Sequence, residues 1–144
     1  MQVRRGTSII EIVIATALIS VAIIAAVSLT NQSQKQNSYA RGLAEATKYG
    51  SQAADWIRTE RNNLGWATMY ASNPDAYCLN TFPADFTLIE SGACQDGDFI
   101  AGTRYQREIT LSQAPEALHV TITVSWEEAI ERSATIEMEL TSWH

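Results

Sequence analysis

The chain has 144 residues, a formal net charge of −6 and two cysteines, which leaves room for one modest domain and an anchoring segment. Outside Arg4 and Arg5 the basic residues form no cluster. This charge distribution argues against a nucleic-acid-binding protein, because such proteins carry a basic patch or stripe.

The first predicted element is a membrane-length helix over residues 12–29, IVIATALISVAIIAAVSL. Its few polar residues include Thr16 and Ser20, whose hydroxyls can donate to the carbonyl one turn back without breaking the helix. Eighteen residues at 1.5 Å each span about 27 Å, close to the ~30 Å hydrocarbon core of a bilayer. Arg4 and Arg5 predict a cytoplasmic amino end by the positive-inside rule.

Glu11 stands at the head of this run, although a carboxylate at the centre of a span costs about 2.5–3.5 kcal/mol on insertion scales. A cleaved secretory signal with a small-residue site at Ala26–Ser28 is one alternative. Against it, the run exceeds the usual 7–15 residues, and a carboxylate at its head is out of place. A plain uncleaved anchor is another alternative, and it leaves Glu11 unexplained.

The order R-R-G, then T-S-I-I-E, then a long apolar helix resembles the type III signal of type IV pilins and pseudopilins. In that family a prepilin peptidase cuts after the glycine on the cytoplasmic side and methylates the new amine. The resemblance implies a leader peptide over residues 1–6, cleavage after Gly6, and a methylated terminus at Thr7. It also implies that Glu11 pairs with the Thr7 amine of a neighbouring subunit, where water is excluded and an unpaired charge is costly.

The assembly helix, residues 7–29, is predicted to continue as an amphipathic helix over residues 30–64. Apolar or small residues recur there at steps of mostly three or four, which indicates one buried helix face. That face consists of Tyr39, Leu43, Ala46, Gly50, Ala53, Ile57 and Leu64, and the opposite face of Lys48, Asp55, Arg58 and Arg61. Residues 62–65, Asn-Asn-Leu-Gly, predict the end of the helix.

Residues 65–98 are predicted to be an irregular loop region, rich in turn residues and aromatic rings. Cys78 and Cys94 lie there, and outside the cytoplasm they are expected to form a disulfide worth about 3 kcal/mol; two reduced thiols are the alternative. The aromatic rings fit either a glycan-binding surface or, as we favour, the core over the helix. Asp96 and Asp98 are weak candidates for calcium, and a solvated turn is the favoured interpretation.

Residues 99–144 contain three runs of alternating apolar and polar residues, at 105–111, 118–126 and 134–140. Such alternation indicates half-buried strands, and the short connections at 112–116 and 127–132 indicate an antiparallel meander. The apolar face of this sheet would cover the amphipathic helix. The sequence therefore predicts an α+β protein, and the resemblance implies the pilin fold.

The two histidines, His119 and His144, form no catalytic or metal-binding pattern, so we expect neither an enzyme nor a cofactor.

Residues 42–46, 55–58 and 120–126 are similar to PilV-type minor pilins, the type IV pilus modification proteins. The resemblance implies a minor pilin in the bacterial inner membrane, later in a pilus. Its expected partners are other pilin subunits, the prepilin peptidase, the assembly machinery and, before assembly, membrane lipid. Two alternatives remain: a pseudopilin for type II secretion or DNA uptake, and a membrane-anchored periplasmic binding module or adhesin.

Overall fold

The computed structural model describes residues 9–72 and 75–142. Helix α1 covers Ile9–Leu64, as the sequence predicted. It ends where Gly65 adopts a φ of 80°, a positive value that glycine adopts at little cost. The predicted leader and Thr7 lie outside the described residues.

The chain divides into two compact units, one up to Ala40 and one from Arg41 onward. In the first unit the described residues form a single helical segment, and every side chain from Ile9 to Ala40 is exposed. This unit therefore has no core of its own in the isolated chain.

The second unit is α+β: the part of α1 from Arg41 onward packs on a four-stranded antiparallel sheet of order β1-β2-β3-β4. The strands are β1 (Ala76–Cys78), β2 (Tyr105–Ala114), β3 (Ala117–Glu127) and β4 (Glu131–Thr141). A short helix α2 (Trp66–Tyr70) and a 3₁₀ turn (Phe86–Leu88) complete the unit.

The three predicted strands are confirmed, and each is longer than its alternating run. The β2–β3 turn is tighter than predicted: Ala114 pairs with Ala117, so only Pro115 and Glu116 lie between the strands. The region predicted as an irregular loop contains α2 and β1. A three-residue strand is too short to show a period-two pattern, which is why β1 was missed.

The core lies between α1 and the inward side chains of β2 and β3. Small residues on α1 let the helix backbone approach the sheet closely. A Cβ placed on Gly42 would lie 2.8 Å from Nε1 of Trp126, and one on Gly50 would lie 2.7 Å from Cδ1 of Ile136. The predicted apolar sheet face is confirmed; its buried members are Leu118, Val120, Ile122, Val124, Trp126 and Leu140.

The prediction that Arg61 belongs to the solvent-facing side of α1 is wrong. Arg61 is 7% exposed, and its guanidinium donates a hydrogen bond to the backbone carbonyl of Thr141 at the end of β4. Arg61 follows the buried Ile57 by four residues, so helical periodicity places its Cα on the buried face of α1. The prediction gave the charge of the side chain more weight than its position in the helical period.

We predict that Gly42→Ala lowers the free energy of unfolding by about 1–2 kcal/mol. The new methyl group would overlap the rigid, buried indole of Trp126, and overpacking outweighs the gain of about 1 kcal/mol in helix propensity. Denaturant unfolding of the full chain in a neutral detergent, followed by near-ultraviolet circular dichroism, measures the change.

Gly50→Ala is the matched control. Its methyl group meets Cδ1 of Ile136, the end of a flexible and only half-buried side chain, so this variant should lose less stability than Gly42→Ala. An equal or greater loss at Gly50 would contradict this description of the helix–sheet contact.

Candidate functional site

The most conspicuous surface of the described chain is the exposed apolar segment of α1. Ile9 is 82% exposed, Leu18 67% and Leu29 68%. Helix α1 is long and apolar enough to cross a membrane by length and composition. A signal sequence near the amino terminus has the same properties, so the surface itself fits either a membrane span or a signal sequence.

The hydroxyl groups of Thr16 and Ser20 inside this segment are satisfied within the helix. Thr16 Oγ1 donates to the Val13 carbonyl at 3.0 Å, and Ser20 Oγ donates to the Thr16 carbonyl at 2.8 Å. These bonds confirm the prediction that the hydroxyls turn back on the backbone. They remove the main cost of placing such groups in an apolar environment.

Glu11 lies in the first turn of α1 and is exposed. It is the only acidic residue of the sequence before Glu45. A carboxylate in this position interacts favourably with the positive end of the helix dipole. The apolar surface thus carries a single negative charge, placed at its amino-terminal end. Its predicted companions Arg4, Arg5, Gly6 and Thr7 lie outside the described residues.

The structure contains the predicted disulfide between Cys78 and Cys94, whose Cα atoms lie 4.6 Å apart. It fastens the end of β1 to the long loop that leads toward β2. Side chains on β2 hold the same loop: Glu108 Oε2 accepts from the Cys94 amide at 3.1 Å, and Gln106 Nε2 donates to the Gln95 carbonyl at 2.7 Å. The loop is therefore attached to the sheet by both covalent and hydrogen bonds.

Asp96 and Asp98, the weak calcium candidates, lie in a tight turn around Gly97, which has a φ of 94°. Asp98 Oδ2 accepts from the Gln95 amide at 2.8 Å, and the Asp98 amide donates to the Gln95 carbonyl at 3.0 Å. One carboxylate oxygen is thus occupied in closing the turn. Within residues 9–72 and 75–142, no group of three or more His, Cys, Asp or Glu side chains is placed to hold a metal ion.

A buried arginine that sequence reasoning missed joins the loop, the helix and the sheet. Arg107 on β2 is 2% exposed. Its Nε donates to the Leu79 carbonyl at 2.7 Å, and its Nη1 donates to the Tyr49 carbonyl on α1 at 3.0 Å. The guanidinium also lies over the ring of Phe82, 4.1 Å from the centroid, a favourable cation–π geometry.

Arg107 is held by uncharged groups, two carbonyls and a ring, and its burial affects its protonation. Burial lowers the pKa of Arg107 to about 10, partly offset by the electrostatic effect of Tyr49. At neutral pH the side chain remains charged. The sequence did carry a signal for this burial. Arg107 lies at steps of two from Tyr105, Ile109 and Leu111, and all of these side chains point into the core.

The aromatic residues of the loop belong mainly to the core, as favoured over a glycan-binding surface. Tyr77 and Phe86 are 5% and 4% exposed. Glu60, buried on α1, accepts from the Phe86 amide at 2.9 Å. Phe82 is the partial exception at 40% exposure, although its ring packs near Trp56 and under Arg107. These rings pack the loop onto α1.

Comparison of the chain with protein-family models, with curated proteins and with solved structures gives no match. The fold class and the geometry described above therefore rest on the chain's own residues.

We predict that Arg107→Lys destabilises the second unit by about 2–3 kcal/mol, and that Arg107→Met destabilises it less. Lysine keeps a buried cation but loses the planar fork that reaches two carbonyls, whereas methionine also removes the cost of burying charge. Chemical denaturation of the full chain in neutral detergent measures both values.

The pH dependence gives an independent check on the lysine variant. Burial would hold the pKa of the introduced lysine in the folded state below its unfolded value of about 10.4. The unfolded chain then binds more protons, so the stability of Arg107→Lys should rise as the pH approaches 10. The methionine variant lacks this rise, and identical pH profiles for the two variants would contradict the assignment.

Proposed function

We propose that this protein is a structural subunit of a type IV pilus-like fibre, a minor pilin matured by a prepilin peptidase. The observation that supports this proposal is the single carboxylate, Glu11, at the head of an otherwise apolar and exposed helix. That helix continues without a break into a small α+β domain with a disulfide. A plain membrane anchor gives this charge in the first turn no role.

The proposed assembly mechanism depends on how the Thr7 amine and the Glu11 carboxylate find partners of opposite charge. Cleavage after Gly6 creates a positive amine at Thr7, and assembly moves that amine and the Glu11 carboxylate from the membrane into a fibre interior. Apolar side chains exclude water there, so each charge needs a partner. Pairing the carboxylate of one subunit with the amine of another makes one axial register of the subunits more stable than the others. Before cleavage the same helix anchors the protein in the inner membrane, with the disulfide-containing domain outside the cytoplasm.

A pseudopilin of a secretion or DNA-uptake system is the alternative within the same class, because its subunits share the helix, the leader and the glutamate. A membrane-anchored periplasmic module or an adhesin is the alternative from another class. Neither of these needs leader cleavage or Glu11.

The amino terminus of the protein recovered from its native membrane is the first test. We expect intact and peptide mass to show a start at Thr7, with or without a methyl group. A start near Leu29 would mean that the apolar helix is a discarded signal. An unprocessed start at Met1 would indicate a plain anchor, and either result would overturn the proposal.

A second prediction concerns assembly itself. Glu11→Gln should insert into the membrane at the wild-type level but fall at least tenfold in the sheared fibre fraction, because the amine of the neighbouring subunit loses its counter-charge. Asp55→Asn is the control, since Asp55 is an exposed carboxylate on the same helix and its loss should leave incorporation unchanged. Wild-type incorporation of Glu11→Gln would refute the pairing.

A further inference from the structure

The two edge strands of the sheet, β1 and β4, differ in whether another segment pairs with their outer side. On the outer side of β1, Gly92 forms a bridge with Tyr77, and its amide donates to the Ala76 carbonyl at 2.8 Å. At the opposite edge, β4 pairs with β3 over all eleven of its residues. Within the described residues, no strand pairs with the other side of β4.

The pairing pattern shows which backbone groups point to this open edge. The Arg107 carbonyl accepts from the Leu79 amide, and the Leu111 amide donates to the Asp75 carbonyl, so these two β2 residues direct their backbone groups toward β1. Backbone groups alternate in direction along a strand. Thr110, the residue next to Leu111, therefore directs its backbone groups toward β3.

The same alternation extends through the register to β4. Thr110 pairs with Thr121, so the next β3 residue, Val120, faces β4 and bonds to its partner there, Met138. The flanking residues of β4 then point outward. The open edge consists of the amides and carbonyls of Ser133, Thr135, Glu137 and Glu139.

The contact at Thr141 agrees with this assignment. Thr141 follows the same alternation, and its carbonyl accepts a hydrogen bond from the guanidinium of Arg61 rather than from β3. A carbonyl directed at β3 would not be available to a side chain of α1. One end of the edge is thus already occupied, and the stretch from Ser133 to Glu139 is the part that can accept a partner.

β4 lacks several of the features that protect edge strands, although it carries charged side chains. Its sequence, ERSATIEMELT, has no proline, glycine or lysine, and its register with β3 has no bulge. The side chains define two faces. Glu137 and Glu139 are exposed on one face, while Ala134, Ile136 and Met138 are half-buried on the other.

We propose that the open edge of β4 binds an extended segment of another protein, which adds a fifth strand to the sheet. The partner segment alternates apolar residues, which cover Ile136 and Met138, with lysine or arginine residues opposite the glutamates. A second copy of β4 is a poorer occupant, because each strand carries three glutamates and one arginine. Two such strands would bring like net charges together. This inference does not depend on the proposed function, since it uses only the second unit.

The probe is a short synthetic peptide of alternating valine and lysine, added to the full chain in a neutral detergent. Two derivatives separate strand addition from simple charge attraction: one carries N-methyl groups on the lysines only, the other on the valines only. In antiparallel pairing the residues opposite Glu137 and Glu139 are the lysines, and their amides face β4. We expect lysine methylation to weaken binding at least tenfold and valine methylation to leave it within about twofold; the reverse pattern would indicate parallel addition. Equal affinities for the two derivatives would overturn the proposal.

A pair of protein variants tests the same edge from the other side. Thr135→Pro removes an outward amide without removing a bond to β3, so the sheet should fold while peptide affinity falls at least tenfold. Thr135→Ala keeps the amide and should bind the peptide like the wild type. If Thr135→Pro does not fold, the methylated peptides still decide the question. A concentration-dependent dimer seen by sedimentation, lost in Thr135→Pro, would overturn the basic-strand occupant in favour of a second copy.

Discussion

The fold of the second unit depends on how closely the backbone of α1 approaches the sheet. A side chain at Gly42 would contact Trp126 too closely, and one at Gly50 would contact Ile136 too closely. On the same face of α1, Ala46 and Ala53 are fully buried. Small residues alone bury little apolar area. The contact therefore takes most of its burial from the sheet, whose large side chains fill the space that the helix leaves. The shape of the interface is set by the helix, and its hydrophobic stabilisation is set by β2 and β3.

The loop between α2 and β2 packs on α1 through buried side chains such as Leu79 and Phe86, and polar groups reinforce this attachment. Arg107 reaches from β2 to a carbonyl of the loop and to a carbonyl of α1. Glu60 reaches from α1 to the amide of Phe86. Both charged groups are almost fully buried, and each satisfies backbone groups that the loop cannot pair by itself. The disulfide then limits how far the loop can open, so loop, helix and sheet behave as one unit.

The sequence was sufficient to predict the parts of the fold that follow from periodicity. The amphipathic part of α1, the three long strands and the buried face of β3 follow from steps of 3.6 or 2 residues, and the end of α1 near Leu64 follows from the turn residues at 62–65. Arg61 and Arg107 show where this reasoning ends. Both lie in the buried phase of their element, Arg61 four residues after Ile57 and Arg107 two residues after Tyr105, although charge favours an exposed position. Their hydrogen-bond partners lie across the fold, which the period does not show. β1 was missed for a related reason, because its strand exists only through pairing with β2.

The candidate site was predictable to a lesser extent. Glu11 stood out because its charge contradicts its surroundings, and the disulfide stood out because the chain has two cysteines. The open edge of β4 gave no comparable signal, since the alternation of β4 resembles that of any half-buried strand. Only the order of the strands shows which of them is last, and only the register shows which amides point outward.

The two candidate surfaces place different demands on a partner. Under the proposed function, lipid and the helices of other subunits would both cover the apolar segment of α1, so burial alone would not choose between membrane and fibre. A directional interaction would have to make that choice, and Glu11 is the acidic group in the first turn of the segment. The outward residues of β4 are exposed and their backbone groups can bond to water, so a partner would gain little from its backbone bonds alone. Selectivity at that edge must come from the side chains on its two faces. In the two proposals, a charged contact would select the partner at the helix, and the alternating side chains on the two faces of β4 would select it at the sheet.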